Sequence, residues 1–83
     1  MSQKARTAKH LGAIIRRARR NARMTQAELG QRMGLRQATI SKLEAGEPAT
    51  QISTLLDALA ALGLEIVIDE RGHVSAEDLE SLY

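Results

Sequence analysis

The sequence predicts a mainly α-helical domain of four helices, followed by one β-strand. Apolar residues recur at three- and four-residue spacing in four segments between residues 8 and 62, which is the period of helices with one buried face. Gly34, Gly46 and Gly63 follow three of these segments, as expected where a left-handed residue ends a helix. The period changes to two over residues 64–69, a β-branched stretch that predicts a strand.

Length and composition narrow the class of protein. The chain of 83 residues corresponds to one domain, and at this size dimerisation would add stability. The absence of Cys excludes disulfides and Cys-based zinc sites and favours an intracellular protein. No apolar run approaches the about 20 residues of a membrane span, and MSQKARTAKH lacks the apolar stretch of a secretory signal. One aromatic residue argues against single-stranded nucleic acids, which are bound by aromatic stacking.

Charge is distributed unevenly along the chain. Residues 1–43 contain eleven Lys and Arg against one acid, a net charge of +10. Residues 44–83 contain one Arg against nine acids, a net charge of −8. A basic run alone usually marks a solvated surface, but a half with this excess favours binding of a polyanion.

Residues 25–46, TQAELGQRMGLRQATISKLEAG, predict two short helices joined by a tight turn. Thr25 followed by Glu28 forms a capping box at the start of the first helix. Gly30 is the small residue that a steep crossing of the two helices requires. The apolar anchors between them are Leu29, Met33, Leu35, Ile40 and Leu43. This spacing is that of a helix-turn-helix, with a simple αα-hairpin as the alternative, and the basic half favours DNA binding.

The remaining helices flank this motif within a domain that spans residues 8–62. Residues 1–7 are expected to form a flexible basic arm. The first helix is expected from about Ala8 to Ala22, with Met24 packing inward. The fourth is expected over residues 51–62, capped by Thr50. Its broad apolar face is expected to close the core with Ile52, Leu55, Leu56, Leu59 and Leu62.

Arg19 and Glu44 form a predicted structural ion pair. Arg19 borders the apolar stripe of the first helix, and Glu44 ends the second helix of the motif. A pair between them would tie the first helix to the third. A DNA contact for Arg19 is the alternative.

Enzymatic chemistry has little support in the sequence. His10 and His73 lie in different segments without metal-ligand spacing, so both are expected to be surface residues. There is no phosphate-binding loop and no nucleophile elbow. We therefore expect no enzyme activity, no catalytic residues, no metal and no cofactor.

The segment of residues 63–74 contains the strand, which is expected to pair two molecules of the protein. Leu64, Ile66 and Ile68 share one face, and an unpaired strand exposes backbone hydrogen-bonding groups. Pairing with the same strand of a second chain is favoured, and a hairpin onto residues 73–74 is the alternative. Residues 75–83 form an acidic tail that either folds into a short helix docked on a protein surface or frays.

Side chains at the start of the second motif helix are expected to contact DNA, because in a helix-turn-helix that helix lies in the major groove. Gln37 can pair bidentately with adenine, and Arg36 can bind guanine or a phosphate. The predicted base-contacting residues are Arg36, Gln37, Ala38 and Ser41. The predicted phosphate-contacting residues are Gln26, Thr39, Lys42 and Arg23.

The motif TQAELGQRMGLRQATISKLEAG resembles the XRE/Cro family of helix-turn-helix proteins, over roughly residues 8–62. The resemblance implies a lambda-repressor-like four-helix domain. RQATISKLE and LGLEIVID further resemble HipB-type antitoxins of type II toxin–antitoxin systems. That resemblance implies a homodimer with an intermolecular sheet, repression of its own operon at a palindromic operator, and binding to a HipA-type serine/threonine kinase toxin. It implies base contacts at Gln37, Ala38 and Ser41, with Arg36 on a base or the backbone.

The leading hypothesis is thus a DNA-binding repressor that also serves as an antitoxin. A stand-alone XRE-family regulator is one alternative. An antitoxin of a different toxin, acting mainly through protein binding, is another. For each, double-stranded DNA and a second copy are the expected partners, and a cytoplasmic, nucleoid-associated location is expected, with no membrane.

Overall fold

A computed structural model describes residues 3–72, and this part of the chain forms four helices. They are α1 (Ala8–Asn21), α2 (Gln26–Met33), α3 (Gln37–Glu44) and α4 (Ile52–Ala61). The α2 helix packs against α3 and α4, and α1 packs against α3. The predicted four-helix domain is therefore confirmed. No helix within residues 3–72 has the length and apolar character needed to cross a membrane.

Residues 64–69 form no strand within the described chain. A strand that pairs with a second molecule has no partner in a single chain, so its intermolecular pairing stays a prediction. The alternative hairpin partner, residues 73–74, and the acidic tail, residues 75–83, lie outside the described residues.

Side-chain caps fix the start of two helices. Thr25 Oγ1 accepts from Glu28 N at 3.0 Å, and Glu28 Oε1 accepts from Thr25 N at 3.1 Å, which confirms the capping box of α2. At α1, Thr7 Oγ1 accepts from His10 N at 3.1 Å, while His10 Nδ1 accepts from Arg6 N at 3.2 Å. Thr7, placed by sequence in the basic arm, is therefore the cap of α1.

A residue with left-handed backbone geometry follows each of the four helices. These residues are Arg23 (φ 57°), Gly34 (φ 69°), Gly46 (φ 81°) and Gly63 (φ 71°). After each, the next amide donates to the carbonyl five residues before it at 2.8–3.1 Å, which is the Schellman ending. The three predicted glycine stops are confirmed. Arg23 stands out because left-handed geometry costs a non-glycine residue about 1–2 kcal/mol.

The predicted cap of α4 was wrong. Gln51, not Thr50, is the N-cap, and it makes no side-chain capping hydrogen bond. Thr50 N donates to Glu47 O at 3.1 Å, so Thr50 belongs to the turn that follows α3. The helix consequently begins at Ile52.

The core lies where the four helices meet. Its fully buried side chains are Ile15, Leu29 and Ile40, joined by Met24, Leu43, Ala58 and Leu59. The apolar face of α4 contributes less than expected, because Ile52 is 72% exposed and Leu56 is 47% exposed. Ile52 lies two turns before Leu59 on the same face, so the described chain leaves the first turn of α4 uncovered.

Two glycines allow close backbone contacts that position α3. A Cβ on Gly30 would lie 2.7 Å from Leu35 O, so the predicted close approach within the motif is confirmed. A Cβ on Gly12 would lie 2.7 Å from Leu43 O and closer still to the carbonyl oxygen of Glu44. The α1 backbone therefore rests directly on the end of α3.

Candidate nucleic-acid interface

One face of α3 is polar and exposed, and the opposite face is buried. Ile40 and Leu43 anchor the helix in the core at 0% and 4% exposure. Gln37, Ala38 and Ser41 are all exposed and span about 100° of the helix circumference on the other side. The structure thus places these three of the predicted base-contacting residues on one outward surface.

Arg36 lies at the edge of this surface. It is the N-cap residue of α3, with extended backbone geometry, and makes no side-chain capping bond. Its side chain is exposed, as is that of Lys42 in the last turn, while Thr39 is half-buried. Positive charge therefore lies at both ends of the exposed face of α3.

The predicted ion pair between Arg19 and Glu44 is present and joins α1 to α3. Arg19 Nε donates to Glu44 Oε2 at 2.6 Å, and Arg19 Nη2 donates to Glu44 Oε1 at 3.0 Å. Arg19 Nη1 donates to Met24 O at 2.8 Å. Arg19 and Glu44 are 7% and 8% exposed. Because all three guanidinium nitrogens are engaged inside the protein, the alternative of a DNA contact for Arg19 does not fit the structure.

The environment keeps both groups charged. Burial alone raises the pKa of Glu44, but hydrogen bonds from Arg19 and Gln26, with the nearby positive charge, hold that pKa below its ordinary value. The hydrogen bond to Glu44 raises the pKa of Arg19 above its ordinary value, despite its burial. No buried side-chain nitrogen or oxygen in the described part of the chain lacks a hydrogen-bond partner.

Gln26 links this ion pair to the exposed face, a connection that the sequence analysis missed. Gln26 Nε2 donates to Glu44 Oε1 at 3.1 Å, and Gln37 Nε2 donates to Gln26 Oε1 at 3.5 Å. The position of the two glutamines in the sequence could have indicated this contact, because they are the first residues of α2 and α3. The steep crossing of the motif brings these helix starts together.

Arg23 lies at the end of α1 with an exposed side chain and φ 57°. It occupies the position that glycine takes after the other three helices. Within residues 3–72 no group of His, Cys, Asp or Glu has the arrangement of a metal site. The exposed surface around α3 carries hydrogen-bonding and cationic side chains.

Two short helices that cross at a glycine, with a polar face on the second, define a helix-turn-helix domain. The sequence model of the helix-turn-helix family HTH_3 matches residues 15–68. The chain therefore belongs to this XRE-type helix-turn-helix family.

Two curated relatives come from Sinorhizobium fredii (strain NBRC 101917 / NGR234), each described as an uncharacterized HTH-type transcriptional regulator. The protein y4mF is 35% identical over 68 residues, an alignment that covers 82% of this chain and 90% of y4mF. The protein y4dL is 41% identical over 59 residues, covering 71% of this chain. The chain spans only 30% of the length of y4dL.

Solved structures with the same fold come from HipB complexes. A chain of a HipB-O1-O2 complex superposes with a TM-score of 0.77 and 29% identity, covering 83% of this chain and 100% of that chain. A chain of the HipA-HipB-O2-O3 complex gives a TM-score of 0.76 at 29% identity, covering 83% and 97%. The protein is therefore structurally HipB-like.

Proposed function

We propose that the protein is a homodimeric transcriptional repressor that binds double-stranded DNA in a sequence-specific manner. The observation that carries this proposal is the exposed face of α3. It presents small and polar side chains outward, while Ile40 and Leu43 hold its other face in the core and the Arg19–Glu44 pair holds its last turn. A helix of this kind fits the major groove, where base edges carry a distinct pattern of donors and acceptors.

The contacts divide into base and phosphate contacts. Arg36, Gln37, Ala38 and Ser41 are assigned to base edges, because they lie at the start and on the outer face of α3. Thr39, Lys42 and Arg23 are assigned to phosphates, as is Gln26, whose amide nitrogen keeps one N–H beyond the bond to Glu44. Phosphate contacts orient the protein on the duplex, whereas base contacts supply sequence preference.

Exposed apolar residues support the dimer. Ile66, Val67 and Ile68 are 46%, 69% and 90% exposed. Leu64 packs against the core of its own chain, which places the segment after it at the domain edge. The proposed dimer strand pairs Leu64, Ile66 and Ile68 with the same residues of a second copy. Two α3 helices related by such a two-fold axis would bind a palindromic operator.

The antitoxin part of the proposal rests on likeness to HipB. The chain shares its fold with a chain of the HipA-HipB-O2-O3 complex. We propose accordingly that the dimer represses its own operon and binds a HipA-type kinase toxin. The second candidate, a stand-alone regulator, is favoured by the match to nearly the whole length of y4mF. A kinase-like reading frame beside this gene, whose product co-purifies with the chain, separates the two.

A binding assay tests the DNA part of the proposal. The full chain is titrated into labelled duplexes from its own promoter and into a scrambled duplex of the same length, at several salt concentrations. We expect preference for one palindromic site and an affinity that falls steeply with salt. Equal binding to promoter and scrambled duplexes would contradict sequence-specific repression.

A further inference from the structure

We propose that the neutral imidazole of His10 holds the basic arm along α1, and that protonation of His10 releases the arm for contact with DNA. The described part of the arm is residues 3–6, which carry Lys4 and Arg6. The inference rests on the proposed function, because the released arm is assigned to the duplex that the protein binds. It gives a role to a histidine that the helix-turn-helix motif does not use.

Two hydrogen bonds join the arm to the first helix. Arg6 N donates to His10 Nδ1 at 3.2 Å, and Arg17 Nη1 donates to Gln3 Oε1 at 3.5 Å. Arg17 lies two turns after His10 on the same side of α1, so the arm runs back along the helix. Ala5, between the two contacts, is half-buried. The shorter contact, from Arg6 to His10, therefore fixes the arm where it leaves the helix.

Only the neutral ring of His10 can make the contact to Arg6. One ring nitrogen accepts in neutral imidazole, whereas both nitrogens donate in the protonated form. Protonation would therefore set an N–H of the ring against the backbone N–H of Arg6. Histidine is the side chain that ordinarily changes charge between about pH 5 and 8. The cap of α1 does not depend on the ring, because Thr7 Oγ1 accepts from the backbone N–H of His10.

The charges near His10 also favour release of the arm when the ring is protonated. Within the described residues, the ionisable groups near it on the arm and on α1 are all cations: Lys4, Arg6, Lys9 and Arg17. The first acid in the sequence is Glu28. Glu47, on the turn packed against the start of α1, accepts from Ala49 N at 3.2 Å and lines a groove with Leu11, about 100° around the helix from His10. A protonated ring is therefore repelled by the cations of the arm.

The arm leaves α1 next to the end of α3. A Cβ on Gly46 would lie 2.7 Å from the Cα of Lys9 and 3.0 Å from the carbonyl carbon of Ala8, so the first turn of α1 rests on the turn that follows α3. Lys42, which is assigned to a phosphate, lies in the last turn of α3. Residues 3–6 span about 13 Å when extended. A released arm is therefore placed to contact phosphates beside Lys42, which would raise affinity for any sequence.

An NMR titration of the full chain without DNA tests the contact between His10 and Arg6. Amide spectra of the wild type and of His10→Asn are recorded from pH 7.5 to pH 5. Asparagine keeps an acceptor at the place of Nδ1 and does not titrate. We expect the Arg6 amide signal to follow the protonation of His10 in the wild type and to stay in place in His10→Asn, with His73 present in both proteins. An Arg6 amide signal that does not follow the imidazole would overturn the proposal.

Binding assays at pH 7.5 separate release of the arm from a simple effect of charge. His10→Ala removes the acceptor without adding a charge, and it is compared with the wild type on promoter and scrambled duplexes. We expect it to bind both duplexes about threefold more tightly, since one exposed hydrogen bond shifts the ratio of held to released arm by roughly that factor. Its salt dependence should be steeper by about one phosphate contact. Unchanged affinity and salt dependence would overturn the proposal, because a charge effect alone predicts no difference between two neutral side chains.

Two further substitutions identify the arm as the source of this gain. Lys4→Ala with Arg6→Ala, added to His10→Ala, removes the side-chain charges of the arm and keeps its backbone. We expect the gain in affinity and in salt dependence to disappear. A gain that persists in full without these charges would overturn the assignment to the arm. Equal binding of promoter and scrambled duplexes by the wild type would contradict the proposed function instead, and the NMR titration would still decide the contact between His10 and Arg6.

Discussion

The guanidinium of Arg19 and the carboxylate of Glu44 form a buried two-bond ion pair that fastens the first helix to the end of α3. The same guanidinium holds the carbonyl of Met24, in the turn between α1 and α2. One side chain thus connects three segments of the domain. The pair lies at the last residue of α3, the helix proposed to enter the major groove, so its integrity affects both stability and the placement of α3.

Removal of one member of the pair is expected to destabilise the domain strongly. Glu44→Leu leaves the charge of Arg19 buried without its partner, and the expected loss is about 3–5 kcal/mol of unfolding free energy. The double variant Arg19→Met with Glu44→Leu removes both charges and should recover much of this loss. Urea unfolding followed by circular dichroism measures the values. Additive losses in the double variant would show that the two side chains do not act as a pair.

Low pH is expected to lower the unfolding free energy of the domain, because it protonates Glu44. Its folded-state pKa is lowered, so its contribution is complete above the unfolded-state pKa of about 4.3 and is lost as pH falls through the folded-state value. The unfolding free energy of the wild type should therefore fall more steeply below about pH 4.3 than that of Glu44→Gln. Urea titrations from neutral pH downward supply the comparison. Parallel pH profiles for the two proteins would refute this assignment.

The contact beneath Gly12 predicts a local steric effect. In Gly12→Ala the new Cβ meets the carbonyl oxygens of Leu43 and Glu44, so α1 must move away from α3. A loss of about 2–3 kcal/mol is expected from this overpacking. Gly63→Ala is the control, because its Cβ meets nothing within 4 Å and only its φ of 71° is unfavourable. If thermal unfolding shows no loss for Gly12→Ala, the close approach is unimportant.

Arg23 is expected to lower the stability of the domain and to raise its affinity for DNA. Arg23→Gly removes left-handed strain and should raise the unfolding free energy by up to about 1 kcal/mol. It should also weaken DNA binding equally on all sequences and reduce the salt slope by about one. Arg20→Ala removes a nearby exposed charge without changing the helix ending, and serves as the control. Unchanged DNA affinity in Arg23→Gly would remove Arg23 from the phosphate contacts.

The proposed dimer strand predicts that substitutions at two neighbouring residues differ in their effect on the dimer. Ile68→Lys places a charge on the face shared with Ile66 and should shift sedimentation from dimer to monomer. Val67→Lys lies on the opposite face of an extended segment and should leave the dimer intact, although Val67 is also 69% exposed. Sedimentation velocity over a range of concentrations makes the comparison. Equal behaviour of the two variants would argue against strand pairing.

Local sequence signals were sufficient for much of the fold. The capping box of Thr25 and Glu28 involves residues three apart, so its geometry follows from the start of a helix. The glycine after α2 is likewise a local requirement for positive φ. The cap of α4 was mispredicted because Thr50 is held in the turn after α3 by its own amide. A residue with a good capping side chain acts as a cap only where the backbone N–H groups that follow it lack other hydrogen-bond partners.

The sequence by itself determined the helices, the motif, the charge asymmetry and the outward set on α3, because each depends on spacing along the chain. The ion pair of Arg19 and Glu44 was also predictable, since both residues border apolar positions. Only the tertiary structure decided the contact of Gly12 with α3, the exposure of Ile52, and the link from Glu44 through Gln26 to Gln37. These depend on the angles and distances at which helices cross, which bring together side chains that no local period relates.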